Sequence, residues 1–212
     1  MHSRTERDSM GEVQLPAEAL YQAQTQRALD NFQISQLTMP PAFIKAVLRV
    51  KQAAAAANLE LKLLQPDVAS AINSAAEQQL LELDMAHYPI DLFQTGSGTS
   101  TNMNLNEVIA HLAARQTAKT VHPNDQVNMS QSSNDTIPSA IHISAAIALE
   151  QQLFPALEHL HTSLLGKAAQ LNDIVKTGRT HLMDAMPLTF GQEINGWASQ
   201  IESNYVRLQL IF

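Results

Sequence analysis

The chain contains no cysteine, which rules out disulfides, thiolate nucleophiles and cysteine-ligated metals. That absence agrees with a reducing compartment. Aromatic residues make up only 5% of the sequence while hydrophobic residues make up 45%, so the core must be assembled from Ala, Leu, Ile and Val, the material of packed helices. Basic residues are also scarce: 13 Lys and Arg against 20 Asp and Glu give a formal charge of -7. Without a basic patch, nucleic acid and anionic membrane are poor partners. No stretch approaches the roughly 18 apolar residues of a membrane-spanning helix, and the opening MHSRTERDSMGEV has no signal-peptide core. Strand-like alternation is almost missing beyond the first fifteen residues, and there is no internal repeat. At 212 residues the chain can bury a substantial core, and the expected fold is mainly α.

What is present is helical periodicity punctuated by proline. A short helix is expected over residues 18–31, and Pro40-Pro41 then opens the next, because proline is tolerated in a first helical turn. Phe43, Val47, Val50, Ala54, Ala57, Leu61 and Leu64 step by three and four along one face. Pro66 starts a further helix with Val68, Ala71, Ile72, Ala75 and Leu80. Gly96 and Gly98 loosen a turn before a helix carrying Val108 and Leu112. Residues 120–135 are polar and read as a loop. The apolar run over residues 137–149 predicts a helix buried among other helices, and Pro155 should kink its continuation. A last helix starts near Phe190, with Trp197, Ile201, Tyr205 and Leu208 on its buried side. It stops on Leu210-Ile211-Phe212 without cap, glycine or polar tail, which looks like a cut.

Three polar clusters interrupt this pattern, each just before a helix: Thr95 to Asn106, His122 to Thr136 and Thr177 to Thr189. The first, GSGTSTN, offers hydroxyls and free backbone N–H groups at a helix start, either as an ordinary N-cap or as an anion site. It lacks the GK[ST] ending of a phosphate loop and the third glycine of a dinucleotide fingerprint. In the second, six polar residues from Ser130 to Asp135 precede an apolar helix, where one would suffice as a cap; a ligand site and a solvated loop both fit. The third puts Arg179, Thr180 and His181 side by side on a loop between two helices. An imidazole can exchange a proton near neutral pH. Neutral donors, one imidazole and few cations suit a small carboxylate whose charge shifts during reaction, because positioned donors strengthen as charge accumulates. Metal hydrolysis is not suited, since His122 and His181 lack ligand-spaced partners.

The segments GSGTSTNMNLNEVIA, HPNDQVNMSQSSNDTIP and KTGRTHLMDAMPLTFGQE resemble the first three motif blocks of class II fumarase, in the fumarase/aspartase superfamily. The opening RTERDSMGEVQLPAEALYQAQTQRALDNF is similar to the N-terminus of the same enzymes, so the likeness covers essentially the whole chain. The resemblance implies that Ser97, Gly98, Thr99, Ser132, Ser133, Asn134 and Thr180 bind a dicarboxylate, fumarate or malate, and that His181 is the catalytic imidazole. It implies a second, peripheral carboxylate site at His122, Pro123, Asn124 and Asp125. It further implies reversible hydration of fumarate to (S)-malate with no metal or other cofactor, in a cytoplasmic homotetramer of the tricarboxylic acid cycle. An N-terminal lyase domain over residues 1–135 and the start of a helical bundle over residues 136–212 would follow.

The chain departs from the family pattern in places. Met183 stands where the family usually has Gln, with Met186 nearby; Gln22 replaces a usual Gly; Lys119 stands where a site Arg is common. His181 favours fumarase over aspartase, which carries Gln there. The family's GSSxMPxKxN segment, with its Ser base, Lys and Asn, does not occur in these residues. The expectation is an N-terminal half that lacks the proton-abstracting base and is inactive alone. Two rival readings are a superfamily lyase that releases an amine and a helical assembly module without catalysis.

Overall fold

Pro41 and Pro66 each sit in the first turn of a helix, where a missing N–H removes no helical bond. The computed structural model describes residues 2–211. A first antiparallel hairpin pairs β1 (Ser3–Asp8) with β2 (Gly11–Pro16), in register from Ser3 opposite Pro16 to Asp8 opposite Gly11. Helices α1 (Ala23–Asn31), α2 (Pro41–Glu60), α3 (Pro66–Leu81) and α4 (Thr99–Thr117) follow, with a short 3-10 turn at Met85–His87. After a single π turn at Pro123–Val127 come α5 (Ser133–Ala148), a second π turn at Leu149–Leu153 and α6 (Phe154–Gln170). A second antiparallel hairpin, β3 (Val175–Thr180) with β4 (Met183–Thr189), leads into α7 (Phe190–Gln209). The described residues thus form seven α-helices and two small hairpins, a mainly α chain. They divide into two compact units, residues 1–144 and 145–212.

The first unit is held by α2, α3 and α4, whose Ile44, Val47, Leu48, Ile72, Leu105, Val108 and Ile109 are almost completely withdrawn from water. Burial of each such side chain contributes about 1.5–3 kcal/mol. The buried face of α2 differs from the expected one. Ala57 and Leu61 are exposed, and Lys51, Ala55 and Asn58 are buried instead. Choosing the stripe by apolar residues alone turned the face away from the two polar side chains that lie on it. α1 also begins later than expected, because Ala19 and Tyr21 before it are buried in a non-helical approach.

In the second unit, Gly191 lets the start of α7 approach the end of α6; a Cβ there would lie 2.7 Å from the Ala168 carbonyl oxygen. The seam continues through Ile194 and Ala198, both buried, and half-buried Ile201, Tyr205 and Leu208. The Tyr205 hydroxyl donates to Glu158 Oε1 at 2.8 Å. Trp197 falls one position off this seam and is half-exposed, which corrects its expected burial. A π turn widens the backbone just before Pro155, which stands at the start of α6.

Two further expectations are revised. Only Thr136 and Ala140 of α5 are buried, and Ile141 is 54% exposed, so its apolar circumference is largely uncovered by the described residues. The segment around His181 is a β-hairpin rather than a loop between helices. Its polar, Met- and Pro-containing strands carry no alternation to announce it. Cross-strand backbone pairing forms it, with a bulge between Thr177 and Arg179.

Candidate functional site

In the first unit, the end of β1, the start of α4 and the segment after His122 surround a cleft of about 770 Å³. Of the residues singled out in the sequence, Thr99, His122, Pro123, Asn124 and Ser133 line it. Ser97, Gly98, Ser132, Asn134 and Asp125 lie beside the lining residues in the chain without forming its wall.

The start of α4 is shaped by Gly98, whose φ of +67° suits glycine and whose Cβ, if present, would come within 3.1 Å of Ile137. The Ser97 and Thr99 hydroxyls are 2.7 Å apart. Most of the backbone donors expected to be free here are taken. The Ser100 N–H donates to the Thr95 hydroxyl at 3.3 Å, and the Thr101 N–H to Gln94 Oε1 at 2.8 Å. This helix end is largely capped by its own neighbours, so apart from the Thr99 N–H the groups it offers a ligand are side chains.

The segment after His122 is similarly built. The Ser132 hydroxyl accepts from the Asn134 N–H at 3.2 Å and caps α5, so Ser133 is left for other work. Asn102 Nδ2 donates to Ser133 Oγ and to Asn128 Oδ1, both at 3.1 Å. The Oδ1 atoms of Asn102 and Asn106 are buried with no hydrogen-bond partner among the described residues. Both residues line the cleft. A ligand or a water can satisfy them. His122 Nδ1 accepts the Asp125 backbone N–H at 3.2 Å, and the Asp125 carboxylate lies 3.3 Å from the same atom. One nitrogen cannot both accept that bond and carry a proton, so the ion pair forms only when the backbone bond is given up.

The carboxylates around the cleft are committed. Glu6 pairs with Arg4 at 3.0 Å, and Asp8 takes Arg27 in a two-pronged contact of 2.8 and 2.9 Å. Arg27 holds the Asp8 carboxyl down to about 2, helped by the Met10 N–H and Gln24. Glu107, buried on α4, accepts backbone N–H bonds from Gln22, Gln24 and Thr25 at 2.8–3.0 Å and so caps α1 from a distant element. Burial nonetheless pushes its carboxyl above the usual range. Arg7, also in the wall, is exposed and pairs with no carboxylate among the described residues. Lys119 is not in the wall; it is paired with Asp67.

Thr180 and His181 belong to the second unit. His181 and Leu182 form the two-residue turn of the hairpin, with φ of +51° and +59°. Such turns ordinarily hold Asn-Gly, and each larger residue there adds strain of about 1–2 kcal/mol. His181 is exposed, and Leu182, Met183 and Met186 beside it are 103%, 71% and 83% exposed. Strain of this kind persists at functional positions.

A family profile described as lyase matches residues 11–212. The chain belongs to the lyase family. Within it, the chain is 53% identical over 209 residues to fumarate hydratase class II 2 of Pseudomonas aeruginosa, covering 99% of this chain and 46% of that protein. Among solved structures it is similar to a class II fumarase from Schistosoma mansoni, with a TM-score of 0.92 at 36% identity over 96% of this chain and 44% of the other. A fumarate lyase:delta crystallin structure from Brucella melitensis gives a TM-score of 0.93 at 38% identity, over 99% of this chain and 50% of the other. The chain therefore spans about half the length of the lyases it matches. Among its described residues no three His, Asp or Glu side chains are grouped to hold a metal ion, and no helix is long and apolar enough to cross a membrane.

The cleft is also lined by residues that sequence patterns did not single out as binding groups, Arg7, Asn106 and Asn128, and Lys51 is bonded to the last of them. Lys51 left one signal, a charge falling seven residues before Asn58 on a helix face that is otherwise apolar.

Proposed function

We propose that the cleft of the first unit takes one carboxylate of fumarate or (S)-malate, and that the whole protein interconverts the two by reversible hydration. The observation that carries this reading is the convergence of Thr99, Asn102 and Ser133 with His122 and Asn124 on one cleft whose uncommitted charge is the cation of Arg7. Similarity to class II fumarate hydratases supports fumarate as the dicarboxylate. Ser97, Gly98, Thr99, Ser132, Ser133, Asn134 and Thr180 form the binding set, Ser132 through the helix start it caps. His122, Pro123, Asn124 and Asp125 form the second carboxylate site.

In the dehydration direction, a base takes the proton from the carbon beside one carboxylate, and the electron pair moves onto that carboxylate as an aci-carboxylate. The C–O bond on the neighbouring carbon then breaks, the hydroxyl leaving as water with a proton from His181. Neutral donors serve this sequence because they tighten on oxygen as charge arrives there. No residue of this chain is assigned as the base, since the GSSxMPxKxN segment does not occur in it. This chain alone accordingly binds without turnover. The exposed apolar residues of the second unit, among them Trp197, Val206 and Leu210, support burial against further copies in a homotetramer; the similarity to class II fumarate hydratases favours the cytoplasm.

Loss of fumarate absorbance tests the reading. The 212-residue chain should be silent, and a protein extended to the length of its relatives should be active. An extended, assembled protein that ignores water but adds ammonia to fumarate would favour the amine-releasing reading, with Met183 beside His181 the first position to suspect. One that adds neither would leave an assembly role.

A further inference from the structure

Lys51 is completely buried, and its ammonium donates to two amide oxygens, Asn128 Oδ1 and Gln131 Oε1, each at 2.9 Å. A buried ammonium without a carboxylate partner is an expensive feature to keep, and its burial draws it down to about 7. Two turns along the same face of α2, buried Asn58 donates to the Met129 carbonyl at 3.0 Å and accepts from the Ser130 hydroxyl at 3.0 Å. Ser130 sits at φ +61°, a left-handed conformation that needs external support in a residue other than glycine. Gln131 Nε2 closes the turn from within, donating to the Val127 and Met129 carbonyls at 2.9 and 3.2 Å.

The acceptor of Lys51 is also the acceptor of Asn102. Asn128 Oδ1 receives both, and Asn102 holds Ser133 with its second hydrogen. Asn102, Asn128 and Ser133 all line the cleft; Lys51 does not. We propose that Lys51 is a positioning residue for this cleft: from α2 it fixes the turn over residues 128–131 and, through Asn128 and Asn102, holds Ser133 Oγ as an acceptor so that its hydroxyl hydrogen is free for a bound carboxylate. The ligand part rests on the dicarboxylate reading above; the mechanical part does not.

Hydrogen–deuterium exchange on the whole chain separates the two parts. In Lys51→Met, exchange over residues 128–133 should rise at least tenfold while α3 and the middle of α4 stay as protected as in the parent, because a charge-assisted bond is worth roughly ten- to hundredfold. Unchanged exchange at 128–133 would overturn the proposal. If protection collapses throughout Lys51→Met, Gln131→Ala decides: the position is half-buried and outside the helical core, and the same segment should loosen in smaller measure. No loosening there overturns the proposal too. Fumarate affinity gives the readout that a merely structural lysine would not move. A folded Lys51→Met should bind fumarate about tenfold more weakly or worse, and parental affinity would refute the positioning role. Should the parent itself bind no fumarate while the turn still loosens, the dicarboxylate reading fails and the mechanical role of Lys51 stands.

Discussion

Ser130 and His181 both hold a left-handed backbone, at φ +61° and +51°, and they are held in it by different means. Around Ser130, side chains from α2 grip the turn at Lys51 and Asn58, and Gln131 closes it from inside. Around His181, the turn is fixed by the pairing of β3 with β4 and an exposed Arg179–Asp184 contact of 3.6 Å across it, and its neighbour Leu182 is fully exposed. The first is a surface prepared in advance, with its donors already aimed. The second displays an imidazole at the tip of a strained, lightly supported turn. Binding groups benefit from being fixed before the ligand arrives. A proton-exchanging group needs its distance set only once substrate and surroundings are assembled.

The largest effect expected from breaking this contrast is at the tip. His181→Asn in the extended protein should lower turnover by about a hundred- to ten-thousandfold, the usual span for a lost acid–base group. Because Asn tolerates the left-handed region, melting should be unchanged or slightly higher. A fall in turnover with a parallel loss of structure would count against a chemical role. On the prepared side, Glu107→Ala should destabilise the first unit by about 1–3 kcal/mol, measured by denaturant melts, since three backbone donors at the start of α1 lose their acceptor in a buried place. Gly98→Ala should cost about 1–2 kcal/mol through positive φ, with the 3.1 Å approach to Ile137 adding to it.

Smaller effects sharpen the comparison. Leu182→Gly should stabilise the hairpin by about 1 kcal/mol or slightly less, since it relieves strain where no contact is lost. A matching loss at that site would mean that the turn is supported after all. The mildest test is acid. Asp8 has a folded-state pKa of about 2, below its unfolded value, so its pairing with Arg27 contributes above the unfolded pKa and is lost as pH falls through about 2. Exchange in β1 and β2 should therefore quicken in strong acid, and Asp8→Asn should flatten that dependence.

How much of this was legible in the sequence follows the same division. Pro41 and Pro66 announced their helices because proline is favoured in a first turn, although α5 also holds Pro138 in its interior, and GSGTSTN announced the start of α4 because Gly98 must turn the chain there. The cleft was half legible. Thr99, Ser133 and His122 stood out as polar residues beside helices, while Lys51 and Asn128 were hidden because their meaning depends on a contact across 77 positions of sequence. The hairpin around His181 was not legible at all: its strands lack alternation, and its turn carries His-Leu where Asn-Gly would have signalled it. Nor could apolar composition reveal that α5 keeps much of its surface uncovered within one chain.

The central claim is that residues 97–102 and 122–136 form a prepared dicarboxylate site. An isotope-labelled sample of this chain titrated with fumarate, followed through its amide resonances, tests it most directly. The account predicts saturable shifts concentrated at Thr99, Asn102, His122, Asn128 and Ser133, with α3 undisturbed. No saturable shift in those segments, or saturation confined to the second unit, would contradict it.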